Sequence, residues 1–326
     1  NKASTHADVV CTVQAATADS ATLEVNLATS CGIPTIFGTT INGNAKMSVK
    51  TVSTAKASVS RLDLVLALDT SSSMSTSKLM ALKRSAKGLV DQLATPDGRV
   101  RIALVPYGSS VNAGVYGNRA AGRADTDDTE HDGVGRVCVT ERKGAEAFSD
   151  AKPQPGAWTG APAGRTKVCG RRKIVPLSTD TDALKTAIQN LTRSGYTRGH
   201  LAVAWSWYLI SPNWADFWPV DSKPLPYGSP IDKKVIVLMT DGVFNGARSG
   251  MGLGTAVEQG EKLCDEIRAT GIIIFSIAFQ APAAGQTLMR NCATSASHYF
   301  EADDEAGLDD AFKTIGRQFY GVSISG

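Results

Sequence analysis

Hydrophobic and polar positions change rhythm along this chain. Near its start, Ala21-Thr22-Leu23-Glu24-Val25-Asn26-Leu27 alternates with a period of two, the mark of a half-buried strand. The surrounding sequence is rich in Ala, Thr, Ser and Val and poor in charge, so residues 1–60 read as a small β-rich module. The pattern then shifts. Leu62 to Leu68 is a mostly apolar run of strand length that ends at Asp69. Such a run fits a central parallel strand buried on both faces.

Helical spacing follows at once. Leu79, Leu82, Ala86, Leu89, Val90 and Leu93 recur on one face, and Pro96-Asp97-Gly98 ends the segment. Val100 to Val105 predicts a second strand. From Tyr107 to about Lys173 the chain is rich in Gly, Pro and charge and too long for an ordinary connection, which predicts an insertion at about 107–175. Alternation resumes with a helix carrying Leu184, Ile188 and Leu191, the tripeptide Gly195-Tyr196-Thr197, and a helix from Gly199 to Ile210. Lys233 to Thr240 holds the strand Val235-Ile236-Val237-Leu238-Met239. Thr255 and Glu258 form a capping-box signature for a helix that stops at Gly271. Ile272 to Phe279 and Tyr299 to Ala302 are further strands, and Leu308, Phe312, Ile315 and Phe319 share one face of a last helix. Strands alternating with helices predict an α/β, Rossmann-like domain over residues 61–320, its central, mostly parallel sheet flanked by helices. Residues 321–326 remain as a C-terminal strand or tail.

Composition narrows the function classes. The 326 residues are 42% hydrophobic, enough for one large core or two unequal domains. A formal net charge of +3 with interspersed signs argues against nucleic acid as a partner. The most basic run, Lys167 to Lys173, reads as a solvated loop. No stretch is long and apolar enough to span a bilayer. The chain opens on Asn1 rather than Met, and the expectation is a mature piece whose export signal or membrane anchor lies upstream. Six cysteines allow 15 pairings; neighbours in sequence suggest Cys11 with Cys31, Cys138 with Cys169 and Cys264 with Cys292. An even count among Ser, Thr and Gly loops suits an oxidising, extracytoplasmic compartment, with six buried thiols as the alternative.

In doubly wound sheets ligands bind at the carboxyl ends of the strands. Three segments place oxygen donors there: Asp69-Thr70-Ser71-Ser72-Ser73, Thr197, and Thr240-Asp241-Gly242. The pattern Asp-x-Ser-x-Ser after a strand, a distant Thr, and a strand ending in Thr-Asp-Gly resembles the metal-ion-dependent adhesion site of von Willebrand factor A and integrin I domains. The resemblance covers roughly residues 60 to 320. It implies a metal site made of Asp69, Ser71, Ser73, Thr197 and Asp241, holding Mg²⁺ (or Ca²⁺ or Mn²⁺). Hard cations of this kind take about six oxygen ligands. The two carboxylates neutralise the ion, the three hydroxyls add neutral oxygens, and an open position remains for an acidic side chain from a protein partner. Ordinary N-capping explains a serine or two of Thr70 to Ser77, but not Thr197 and Asp241.

A narrower resemblance concerns Pro34-Thr35-Ile36-Phe37-Gly38, Ser48-Val49-Lys50-Thr51, Ala55-Lys56-Ala57, Gly195-Tyr196-Thr197-Arg198-Gly199-His200-Leu201 with Ala204-Trp205, and the ending from Asn291-Cys292 to Tyr299-Phe300 with its final helix. These look like the TadG/TadE-type pilus-assembly proteins of bacterial tight-adherence systems. That resemblance implies a pilin-like N-terminal module, a membrane anchor in the full-length protein, and partners such as pilin or other pilus components. An enzyme is the rival class. A dehalogenase-type phosphatase needs a second Asp two residues after the first, and Ser71 stands there; Gly250-Met251-Gly252-Leu253-Gly254 has the wrong spacing for a dinucleotide loop. A metal-dependent hydrolase, or a structural pilus subunit with a vestigial site, remains the alternative to a non-enzymatic binding module. His6, His131, His200 and His298 show no ligand spacing, and Trp205, Trp207, Trp214 and Trp218 read as core. The insertion and the Gly242 to Gly254 loop are the expected specificity elements.

Overall fold

A computed structural model describes residues 9–19, 24–34, 46–56, 61–95, 97–123, 137–160, 172–193 and 195–319. Cys169, His6, His131, the basic run up to residue 171 and the tail 321–326 lie outside the described residues. Two compact units are present: Asn1–Val59 with Gly321–Gly326, and Ser60–Tyr320.

In the first unit, β1 (Val10–Asp19), β2 (Glu24–Pro34) and β3 (Lys46–Lys56) form an antiparallel sheet in that order. Cys11 lies opposite Cys31 in the β1–β2 register and is bonded to it. Hydroxyl pairs cross between β2 and β3: Thr29 with Thr51 at 2.7 Å and Ser30 with Ser48 at 2.9 Å.

In the second unit, the strands among the described residues are β4 (Leu62–Asp69), β5 (Val100–Tyr107), β6 (Val175–Ser178), β7 (Lys233–Thr240), β8 (Ile273–Phe279) and β9 (Tyr299–Ala302). The helices are α1 (Thr76–Leu93), α2 (Tyr116–Ala120), α3 (Thr181–Gln189), α4 (Gly199–Ile210), α5 (Ala256–Ala269), α6 (Ala283–Cys292) and α7 (Glu305–Gln318). The sheet runs β6-β5-β4-β7-β8-β9, parallel except for β6, which pairs antiparallel with β5 at the edge. This is the α/β architecture that the alternating pattern requires, plus an edge strand too short to read in the sequence.

Period-two geometry sends each strand's side chains to opposite faces. Leu64, Leu66 and Leu68 of β4 join Val235 and Val237 of β7 on one face, under Leu79, Leu82 and Leu89 of α1 and Leu308, Phe312 and Ile315 of α7. Val65 and Ala67 join Ile236 and Leu238 on the other, under α4, α5 and α6. Every residue of α4 is buried, as suits a helix that is apolar all round. Its outer side is covered by the insertion: Val111, Ala120 and Val139 belong to the same core, and the Arg142 guanidinium lies 4.9 Å from the Tyr208 ring. Trp205, Trp207, Trp214 and Trp218 are all buried there. Cys264 of α5 is bonded to Cys292 at the end of α6, and Cys138 in the insertion is also disulfide-bonded.

Candidate metal centre

The chain leaves β4 for β5 on one side and reaches β7 on the other only after the insertion, α3 and α4. The adjacent carboxyl ends of β4 and β7 therefore form the topological switch point, where the flanking loops diverge and leave a crevice. Asp69 is the last residue of β4; Thr240 ends β7, and Asp241 follows it.

Asp69 is fully buried. Its Oδ1 accepts the Ser71 backbone N–H at 2.7 Å, and its Oδ2 accepts the Thr240 hydroxyl at 2.6 Å. Burial pushes its carboxyl up to about 6; the hydrogen bonds from Thr240 and Ser71 pull the other way, and the neighbouring Asp241 charge adds to the rise. Ser71 Oγ lies 2.8 Å from Ser73 Oγ, and Ser73 Oγ donates to Asp241 Oδ1 at 2.6 Å. Asp241 Oδ2 accepts from the Lys78 ammonium at 2.9 Å.

Thr197 comes from a third loop, brought in by backbone bonds. Ser72 N–H donates to Gly195 O at 3.0 Å, and Arg198 N–H to Gly108 O at 2.8 Å. Gly195 holds φ +77°, and a Cβ there would collide with Ser109, so glycine is required at this turn. Thr197 N–H donates to Asn245 Oδ1 at 3.1 Å, while Asn245 N–H donates to Thr197 O at 2.9 Å. This reciprocal pair ties Thr197 to the segment that follows Asp241.

Gly242 locates the cradle. A Cβ built on it would stand 3.8 Å from Thr197 Oγ1 and 3.9 Å from Ser73 Oγ, with nothing else within 4 Å. Both hydroxyls thus lie in contact range of the position that a side chain at 242 would take. The structure brings Asp69, Ser71, Ser73 and Asp241 together by direct hydrogen bonds and holds the Thr197 hydroxyl near the same point beside Gly242. All these donors are oxygens, the chemistry of hard divalent cations. Among the described residues, no group of three or more His, Cys, Asp or Glu side chains is placed to hold a metal ion, so a thiolate- or imidazole-rich site is not formed there.

Several participants were not legible in the sequence: Lys78, Asn245 and Glu141. Glu141, in the insertion, accepts from Arg248 N–H at 2.9 Å and lies 3.0 Å from His200 Nε2. His200 lies three residues after Thr197, in the first turn of α4. No spacing rule could have joined these positions, which are 59 and 107 residues apart in sequence.

The fold and this cluster define an α/β domain with carboxylates and hydroxyls converging at its switch point. Residues 63–127, from β4 through α2, match the von Willebrand factor type A domain family. No curated protein matches the sequence. Among solved structures, the chain is similar to the vWF domain of the type V pili tip protein Mfa5 from Porphyromonas gingivalis, with 14% identity over 79% of this chain and 95% of that one, TM-score 0.49. It is also similar to the pilus adhesin SpaC from Lactobacillus rhamnosus GG, at 11% identity and TM-score 0.49, covering 95% of this chain but 34% of the adhesin. Manganese-loaded TRAP protein from Plasmodium vivax is 13% identical over 79% of this chain and 72% of that one, TM-score 0.44.

Proposed function

We propose that this chain is an extracytoplasmic binding module that holds a divalent cation, Mg²⁺, Ca²⁺ or Mn²⁺, and captures an acidic side chain of a protein partner without catalysing a reaction. Asp69 and Asp241 supply the charge; Ser71, Ser73 and Thr197 supply neutral oxygens. The cation, when bound, offers Lewis acidity and an exchangeable ligand position to a carboxylate. The observation that carries this reading is the convergence of donors from three separate loops beside Gly242. The resemblance around Gly195 to Leu201 and the von Willebrand match over residues 63–127 support bacterial tight-adherence pilus assembly, or surface adhesion, as the setting. The disulfides suit an oxidising compartment. Among the described residues no helix is long and apolar enough to cross a membrane; a membrane anchor enters the proposal through the TadG/TadE resemblance alone.

The test is thermal unfolding of wild type and Asp69→Ala in Mg²⁺, Ca²⁺ or Mn²⁺ and in EDTA. A ligand at 100 times its dissociation constant stabilises the native state by about 2.7 kcal/mol, which is readable. The expected result is a metal-dependent rise in wild type that the variant lacks. Equal curves for the two proteins under every condition would overturn the reading.

A further inference from the structure

Lys78 occupies an unusual place. It lies in the first turn of α1, whose N-cap Ser75 accepts the Lys78 backbone N–H at 3.2 Å. That turn contains no acidic residue. A cation at the N-terminal end of a helix opposes the helix dipole, so helix formation alone gives no reason for a lysine there. Its ammonium instead reaches Asp241 Oδ2 at 2.9 Å and lies 5.8 Å from the Phe279 ring centre at the end of β8. The Asp241 side chain is 0% exposed and that of Lys78 17%, so the pair is sheltered from solvent screening. Asp241 Oδ1 is taken by Ser73, which leaves Lys78 holding the second oxygen of the same carboxylate.

We propose that Lys78 is a built-in competitor for the divalent cation, which lowers affinity for metal alone and raises affinity for metal together with an acidic partner. This rests on the metal-binding reading above. The charge count gives the reason. Asp69 and Asp241 contribute −2, which Lys78 reduces to −1. A divalent cation then finds one carboxylate oxygen already paired and a like charge beside it. With cation and lysine both present the sum is +1, and a carboxylate from a partner neutralises it. Without the lysine the occupied site sums to zero and draws the partner less. Metal and carboxylate therefore favour each other's binding, a coupling that is reciprocal by linkage. Lysine suits this role, being a compact point charge on a flexible stem that can withdraw from Asp241.

The experiment is calorimetric titration of Mn²⁺ alone into wild type, Lys78→Met and Lys78→Arg, repeated in acetate as the carboxylate probe. Far-UV circular dichroism checks folding. Lys78→Gln, which keeps a donor for Asp241 without charge, replaces the Met variant should that fail to fold. The expected result is at least tenfold tighter Mn²⁺ binding in the neutral variant, wild-type affinity in Lys78→Arg, and a larger gain from acetate in wild type than in the neutral variant. Binding by the neutral variant with none by wild type also supports the proposal. Equal or weaker Mn²⁺ binding by the neutral variant, with wild type binding, overturns it and leaves the metal site standing. No binding by any folded variant overturns both.

Discussion

Glu141 shows how much of the site depends on a residue that reads as loop. Its carboxylate is buried, and Oε1 meets both His200 Nε2 and the Arg248 N–H. One oxygen thus fastens the helix after Thr197 and the loop after Asp241 to the insertion. Burial pushes the Glu141 carboxyl up, but the bonds from His200 and from backbone N–H groups outweigh it and hold the group down at about 2, from 4.5. A depressed carboxyl stabilises fully above its unfolded value, and that contribution is lost as pH falls from about 4.5 through about 2. The shift corresponds to roughly 3 kcal/mol, or about 1–2 kcal/mol once screening by nearby solvent is allowed for. Glu141→Gln is therefore expected to lower stability at pH 7 by about 1–2 kcal/mol. Urea unfolding between pH 7 and pH 2 checks this: the gap to wild type should close below about pH 4.5. A gap that stays constant with pH would place the cost in packing instead. The contrast with Asp69 explains what sequence can reveal. Asp69, Ser71 and Ser73 are local, set at fixed spacing by a strand end. Glu141 and Lys78 act across distances that only the fold determines.

At the scale of elements, legibility follows the same division. Leu79, Leu82, Ala86, Leu89, Val90 and Leu93 all face the core from α1, as their spacing requires. The capping box of Thr255 and Glu258 forms with both of its hydrogen bonds, because a cap is made within one turn. β6 could not be read, since it has four residues and its pairing with β5 is irregular. The burial of all twelve residues of α4 is explained by the insertion together with the Trp214–Trp218 segment, which packs on Trp205 and Tyr208 from beyond the helix. Two glycines now carry opposite expectations. A Cβ on Gly285 of α6 would stand 2.5 Å from the Gly242 carbonyl oxygen, so Gly285→Ala forces backbone against backbone and disturbs the loop. A Cβ on Gly242 meets only the hydroxyls of Thr197 and Ser73 at ordinary contact distance. Gly242→Ala is expected to fold with wild-type stability in EDTA, within about 0.5 kcal/mol, yet lose the metal-dependent rise in melting temperature. A full metal response in that variant would mean the cation sits elsewhere.

For the whole molecule, the order of runs along the sequence predicts a parallel sheet, because apolar strands joined by helices can hardly pair otherwise. It also separates the α/β unit from a module with different physics. In that module β1, β2 and β3 leave Val13, Leu27 and Met47 exposed, and hydroxyl pairs rather than a dry core line β2 against β3. Three strands that leave such side chains exposed among the described residues are marginal by themselves. The Cys11–Cys31 bond closes a loop with a sequence separation of 20. In the chain-entropy model such a closure stabilises by about 3 kcal/mol, a large share of what so small a unit can hold. Calorimetry of the whole chain is therefore expected to show two transitions. Replacing Cys11 and Cys31 together with Ser should lower the smaller transition and leave the larger unmoved. Mg²⁺ should raise only the larger, since every donor of the candidate centre lies between Asp69 and Asp241 in the α/β unit. A single transition that responds to both treatments would mean the two units unfold as one cooperative body, and the cation would then stabilise the strand module through the α/β unit.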